Sequence, residues 1–152
     1  AIQPQDAITA VTIAGMGGSL IREILEAGKL HQRLSGQERL ILQPNIGERT
    51  LRSWLQENQY KIQSEKILEE NKKIYEIIVA EKEQKPVTYN EMELMFGPFL
   101  LEEKSEIFKS KWTRELQQRK AIREQLKQAA NQEARQKQIE QEIQMIEEVL
   151  EI

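Results

Sequence analysis

The sequence predicts an α/β domain followed by an all-helical segment: half of an open, parallel-type sheet, then a long helical, coiled-coil-like hairpin. Three observations carry this expectation. Two strand-turn-helix units stand in succession, "VTIAGMGGSLIREILEAG" and "RLILQPNIGERTLRSWL". Two apolar runs then flank the polar turn "EENK". Beyond Pro98 the chain has no glycine or proline and is rich in Glu, Gln, Lys, Arg and Ile, the composition of long helices.

The first strand, Val11 to Ala14, is short, apolar and partly β-branched, as suits a parallel strand covered on both faces. Ser19 is placed to cap the next helix, in which Leu20, Ile21, Ile24 and Leu25 have helical spacing and Gly28 reads as the stop. A polar connection containing His31 and Gly36 leads to a second strand, Arg39 to Leu42. Gln43-Pro44-Asn45 ends it, because proline cannot donate to a central ladder. A second helix is expected from Glu48 to Glu57, burying Leu51, Trp54 and Leu55. In "YKIQSEKILEENKKIYEIIVAEK" the apolar positions Ile62, Ile67, Ile74, Ile77 and Val79 read as an antiparallel pair closing the sheet's edge.

A composition break at "EKEQKPVTYNEME" divides the chain into an α/β domain, residues 1–84, and a helical domain, residues 85–152. In the latter, Ile139, Ile143, Ile146 and Leu150 are spaced four, three, four, a coiled-coil seam. One uninterrupted helix would be about 75 Å long at 1.5 Å per residue. Two antiparallel helices turning near Asn131 would bury their stripes on each other, and this hairpin is the expected arrangement.

Composition excludes several classes of function. The 152 residues suffice for one ordinary domain, or a small domain with an appendage. The absence of cysteine removes a disulfide framework, a thiolate nucleophile and a zinc-cysteine site. No apolar run approaches a membrane span and the start lacks a signal-peptide pattern, so no membrane partner and, by default, a cytoplasmic address are expected. His31 is the single histidine and reads as a surface residue, so no metal is expected, and no serine-histidine-acid arrangement stands out. The chain opens without methionine and enters a buried strand almost at once, like the middle of a domain.

The turns hold the candidate chemistry. Gly15, Gly17 and Gly18 sit between a strand and a helix N-terminus, where an anion or a ligand can approach the backbone. "GMGG" is neither the spaced dinucleotide fingerprint nor a P-loop, and a tight, closely packed turn accounts for it equally well. "QPN" occupies the same end of the adjacent strand, where open α/β sheets bind ligands. The amides of Gln43 and Asn45 suit a planar base edge; the alternative is that Asn45 caps the following helix. From Lys109 to Lys127 basic residues predominate, and Lys109, Lys111, Arg114, Arg119, Lys120, Arg123 and Lys127 face only Glu115 and Glu124. Such a stripe is the electrostatic footprint of nucleic-acid binding, or an ordinary solvated helix face. Phe108 and Trp112, one turn apart, read as packing residues.

The combination of "AGMGG", "LILQPN" and "KIYEI", followed by "MELMFGPFLLEEKSEIFKSKW", resembles the bacterial TrmK family of tRNA (adenine-N1)-methyltransferases over nearly the whole chain. The resemblance implies a class I, Rossmann-like methyltransferase sheet with strand order 3-2-1-4-5-7-6, of which this chain begins just before strand four. It implies S-adenosyl-L-methionine as cofactor and tRNA as partner, with RNA binding in the helical domain and methylation of adenine N1 at position 22. The main cofactor loop belongs to the missing strands. The segment alone is therefore expected to be inactive, aggregation-prone at its first strand, and completed by an N-terminal fragment or by a second copy.

On this resemblance Gly15, Met16 and Asn45 are the expected catalytic positions. Ala14, Gly15, Met16 and Gly17 border the cofactor. Gln43, Pro44 and Asn45 meet the base, and Lys109, Lys111, Arg114, Arg119, Lys120, Arg123 and Lys127 hold the tRNA phosphates. Two alternatives stand beside it: a methyltransferase of another RNA base, and a non-catalytic RNA-binding or coiled-coil scaffold.

Overall fold

The computed structural model describes residue 3 and residues 8–152. By packing the chain divides into two compact units, one ending at Glu103 and the other running from Lys104 to Ile152.

The first unit follows the expected order. Strand β1 (Ala10–Met16) leads into helix α1 (Gly18–Leu30), and β2 (Arg39–Pro44) into α2 (Glu48–Glu57). The hairpin of β3 (Tyr60–Glu70) and β4 (Lys73–Lys82) follows. The strands are ordered β1-β2-β4-β3, with β1 parallel to β2 and β4 antiparallel to both neighbours. This is the order the resemblance implies for the last four strands. Strand β1 lies at one end of the sheet, with β2 as its only neighbour among the described strands.

Both helices pack on one face. Ile21 and Leu25 of α1 and Leu51, Trp54 and Leu55 of α2 close over Ile13, Leu40, Leu42, Ile62, Ile78 and Ala80. Burying each such side chain contributes about 1.5–3 kcal/mol. The hairpin turns at Asn71 and Lys72, both left-handed (φ 52° and 65°), the geometry whose twist matches that of paired strands. A bulge between Ile62 and Ser64 reverses the alternation of β3, so that Glu65 comes to face the helices, paired with Ile78.

That reversal matters because Arg52 of α2 is waiting there. Its guanidinium donates to Glu65 (2.9 Å) and to Glu76 of β4 (2.6 Å), and all three side chains are buried. Burial works against the charge of Arg52, but the two carboxylates more than offset it and hold the guanidinium above its ordinary pKa. Arg52 also reaches the carbonyls of Leu94 and Met95, and Glu65 accepts the N–H of Phe99 (2.9 Å). The short helices α3 (Glu91–Phe96) and α4 (Pro98–Glu103) are thereby fastened to the sheet. Tyr89 assists, accepting the N–H of Ile62. For this reason the first compact unit extends to Glu103, past the composition break at 84: that break marks a change of surface chemistry, while buried charges carry the packing onward.

Several local expectations are corrected. Helix α1 starts at Gly18 with Gly17 as its N-cap residue, and Ser19 lies inside it. Gly28 does not stop the helix. Its carbonyl accepts the N–H groups of Arg33 and Leu34 while Gln32 takes the left-handed conformation, so the end comes at Leu30. Strand β2 continues to Pro44, because beyond Leu42 the described pairing is with β1 alone and the missing proline donor costs nothing on the other side. Asn45 caps nothing: the N-cap of α2 is the left-handed Gly47.

In the second unit α5 (Glu106–Lys127) and α6 (Glu133–Leu150) are joined by a turn that includes left-handed Asn131. Cross-helix pairs Arg119–Glu142, Arg123–Glu140 and Lys120–Glu147 show that the helices run antiparallel. Phe108, Trp112 and Leu116 on α5 are buried, as are Ile139, Ile143, Ile146 and Val149 on α6; Leu150, the last helical residue, is only half-buried.

Candidate active site

The carboxyl ends of β1 and β2 meet at an irregularity. Ala14 pairs with Gln43 and Met16 with Pro44, which leaves Gly15 as an extra residue, bulged out of the ladder at φ 77°. A bulged residue loses its ladder partner, and its N–H needs another acceptor. Gln43 supplies it. The side-chain oxygen of Gln43 accepts the Gly15 N–H at 2.9 Å, while its Nε2 donates to the Pro44 carbonyl (3.3 Å) and to Oδ1 of Asn45 (3.2 Å). The Asn45 N–H in turn donates to the Met16 carbonyl (2.8 Å). The two turns singled out in the sequence are thus one hydrogen-bonded unit.

The glycines divide their work. Gly18 donates to the Ile46 carbonyl at 2.7 Å, and a Cβ placed there would lie 2.1 Å from the Gly47 carbonyl oxygen. Close backbone packing therefore explains Gly18. Gly15 is different. Its φ favours glycine, yet a Cβ there would have no atom within 4 Å. The bulge opens onto space.

That space is a groove of about 530 Å³ lined by Gly15, Gln43, Asn45, Leu68, Glu70, Asn71, Tyr75 and Ile77. Such a volume is ordinary for a small-ligand site. Leu68 and Tyr75 are register partners, and with Ile77 they lie on the sheet face away from α1 and α2. Of the expected site residues, Gly15, Gln43 and Asn45 meet at this groove; Ala14, Met16, Gly17 and Pro44 adjoin them in sequence without lining it. The hairpin contribution escaped sequence reasoning. Its signal was the antiparallel order itself, which brings the Glu70–Lys73 turn to the carboxyl end of β2.

The basic residues of α5 stand elsewhere, in the second unit. Arg119 bridges Glu115 and Glu142, Arg123 meets Glu124 and Glu140, and Lys120 meets Glu147. Burial opposes the charge of Arg119, but Glu115 and Glu142 raise its pKa above the ordinary value. Lys109 and Lys127 pair within their own helix with Glu106 and Glu124, and the Lys111 ammonium lies over the Trp112 ring. Much of the stripe therefore joins the two helices: the basic run of α5 and the acidic run of α6 are complementary halves of one contact. Among the described residues no His, Cys, Asp and Glu cluster could hold a metal ion, and no helix is long and apolar enough to cross a membrane.

The sequence profile of a family described as TrmK, tRNA (adenine(22)-N(1))-methyltransferase, matches residues 1–148. The tRNA (adenine(22)-N(1))-methyltransferase of Bacillus subtilis is 50% identical over 82% of this chain and 53% of its own length. The chain thus spans about half of that curated relative. An uncharacterized protein of Listeria monocytogenes serotype 4b superposes with a TM-score of 0.89 at 44% identity, over 98% of this chain and 66% of that one. A Streptococcus pneumoniae protein solved in complex with S-adenosyl-L-methionine gives 0.83 at 40% identity, over 97% and 63%.

Proposed function

The chain belongs to the TrmK family of tRNA (adenine(22)-N(1))-methyltransferases, and from that membership we propose that it forms part of an enzyme transferring a methyl group from S-adenosyl-L-methionine to N1 of adenine 22 in tRNA. The observation that carries the reading is the groove at the carboxyl ends of β1 and β2, built on the hydrogen bond between Gln43 and the bulged Gly15. Ligands of open α/β sheets bind at that end of the strands.

The residues present fit their share of a cofactor site. Ala14, Gly15 and Gly17 offer backbone with little or no side chain, and the open space beside Gly15 admits a ligand to the main chain. S-adenosyl-L-methionine supplies a sulfonium-bound methyl group as electrophile. Adenine N1 brings its own lone pair, so the protein has to position the ring rather than deprotonate it. Asn45, with the remaining lone pair of the Gln43 side-chain oxygen, is suited to that task, since an amide can pair with the N6/N7 edge of adenine and leave N1 free. Their mutual hydrogen bond limits their freedom before the base arrives. Met16 would form part of the wall.

Residues 85–152, with a coiled-coil-like helical pair at their end, are the tRNA-binding part of this reading. Arg119, Lys120 and Arg123 also hold α6, while Lys109, Arg114 and Lys127 are exposed to solvent; with Lys111 these seven residues are the set assigned to the tRNA phosphates. A cytoplasmic location accompanies a tRNA substrate. Transfer of labelled methyl to unmodified tRNA, with the product nucleotide mapped, tests the reading. Methylation at another base would favour the first alternative, and tRNA binding without any transfer the scaffold.

A further inference from the structure

The chain has three tyrosines, and two of them are structurally engaged. Tyr60 is buried, stacks on Trp54 with ring centroids 5.7 Å apart and lies beneath the Lys82 ammonium. Tyr89 accepts the Ile62 N–H through its hydroxyl. Tyr75 is used in neither way. It is half-buried and lines the groove, and among the described residues it takes part in no hydrogen bond or ring contact.

Its position follows from the register. Leu42 of β2 pairs with Ile78 of β4, and β4 runs antiparallel, so residues preceding Ile78 lie toward and beyond the carboxyl end of β2. Tyr75 and Ile77 alternate with the core residues Glu76 and Ile78 and share the face of Gln43. The groove therefore has amide groups and an open backbone bulge at one side and an aromatic ring with Leu68 and Ile77 at the other. A planar, polar-edged heterocycle needs those two things: a π-face to stack on and donors and acceptors at its rim.

We propose that Tyr75 is the stacking platform for the target adenine, holding the ring while the Gln43 and Asn45 amides meet its edge. This rests on the methyl-transfer reading above and names a base-positioning residue for it. Tyr75 moves no proton in the reaction. It fixes the plane in which N1 presents its lone pair, so its loss separates binding of the base from binding of the cofactor.

The test compares wild type, Tyr75→Phe and Tyr75→Ala in the intact gene product, with unmodified tRNA and with tRNA carrying 2-aminopurine at position 22. Tyr75→Ala is expected to lower kcat/KM for tRNA by about ten- to a hundredfold, the usual effect of losing one base-aromatic stack. KM for S-adenosyl-L-methionine and the thermal midpoint should stay put, and Tyr75→Phe should behave like wild type. The 2-aminopurine fluorescence should be quenched by wild type and Tyr75→Phe but not by Tyr75→Ala. Wild-type kcat/KM and quenching in Tyr75→Ala would overturn the proposal. If Tyr75→Ala also melts early, Tyr75→Leu takes its place and the same quenching comparison decides. A wild-type protein that transfers no methyl to tRNA defeats the methyltransferase reading instead, while quenching, which needs no chemistry, still decides whether Tyr75 stacks on the base.

Discussion

The side-chain oxygen of Gln43 accepts the backbone N–H of Gly15 at 2.9 Å, and so the second strand-turn unit supplies the partner that the bulge in the first one lost. The contact is exposed, so its net contribution to stability is of order 1 kcal/mol. Its consequence is geometric. It fixes the orientation of the Gln43 amide, and through it that of Asn45, at the mouth of the groove.

Gln43→Leu should therefore separate activity from stability. The acceptor is lost, the bulge is released, and kcat with tRNA should fall at least tenfold. Unfolding free energy, read from urea titration, should change by only about 1 kcal/mol. An unchanged kcat would show that the bulge needs no support from Gln43.

The glycines should respond differently from one another. Gly15→Val forces a β-branched residue into a left-handed conformation at about 1–2 kcal/mol. It also fills the open side of the turn, so methyl transfer should be abolished while tRNA affinity persists. Gly18→Ala meets the Gly47 backbone instead and should destabilise at the upper end of the roughly 1–3 kcal/mol seen for overpacking. Thermal melts and binding assays on both variants distinguish the roles; a Gly15→Val enzyme with normal turnover would remove that turn from the site.

The buried triad should be intolerant of partial removal. Arg52→Ala leaves two carboxylates buried beside each other and should cost about 3–5 kcal/mol. Replacing Arg52, Glu65 and Glu76 together by apolar residues of similar volume should restore most of that loss. Denaturant unfolding of both variants checks it, and a mild effect of Arg52→Ala alone would contradict the account.

Glu38 gives the first unit an acid-sensitive contact. Burial raises its pKa, but donors from Ser35 and Gly36 outweigh burial and bring it below the usual carboxylate value. A depressed folded-state pKa contributes stability that is fully present above the unfolded value, about 4.3. That contribution disappears as pH falls through the folded value. Glu38→Gln should accordingly lose stability at pH 7 and show a shallower decline toward pH 3. Parallel acid-unfolding curves would contradict this.

On the second unit, Arg119→Glu should loosen α5 from α6 through repulsion with Glu142, and Arg119→Glu with Glu142→Arg should recover helicity. Circular dichroism melts of single and double variants read the coupling. Absence of any recovery would mean that the cross-helix pairs contribute nothing measurable.

Much of this was legible in the sequence. The strand-helix alternation, the "EENK" hairpin and the helix from Glu48 to Glu57 followed from period and turn chemistry, which are local. So did the candidate turns at Gly15 and Gln43. What escaped was non-local. Arg52, Glu65 and Glu76 look like surface charges until the bulge in β3 turns Glu65 inward. Nothing in the sequence singles out Tyr75, because its relation to Gln43 exists only once β4 lies beside β2. The α5 stripe read as a surface for phosphates or a solvated face, because the register that gives Arg119, Lys120 and Arg123 their partners on α6 is set only once the two helices lie side by side.

The most direct test is to incubate the intact gene product with labelled S-adenosyl-L-methionine and unmodified tRNA, then locate the methyl group by mass spectrometry of nuclease fragments. The account predicts 1-methyladenosine at position 22 and nowhere else. No transfer, or transfer to another nucleotide, would contradict it.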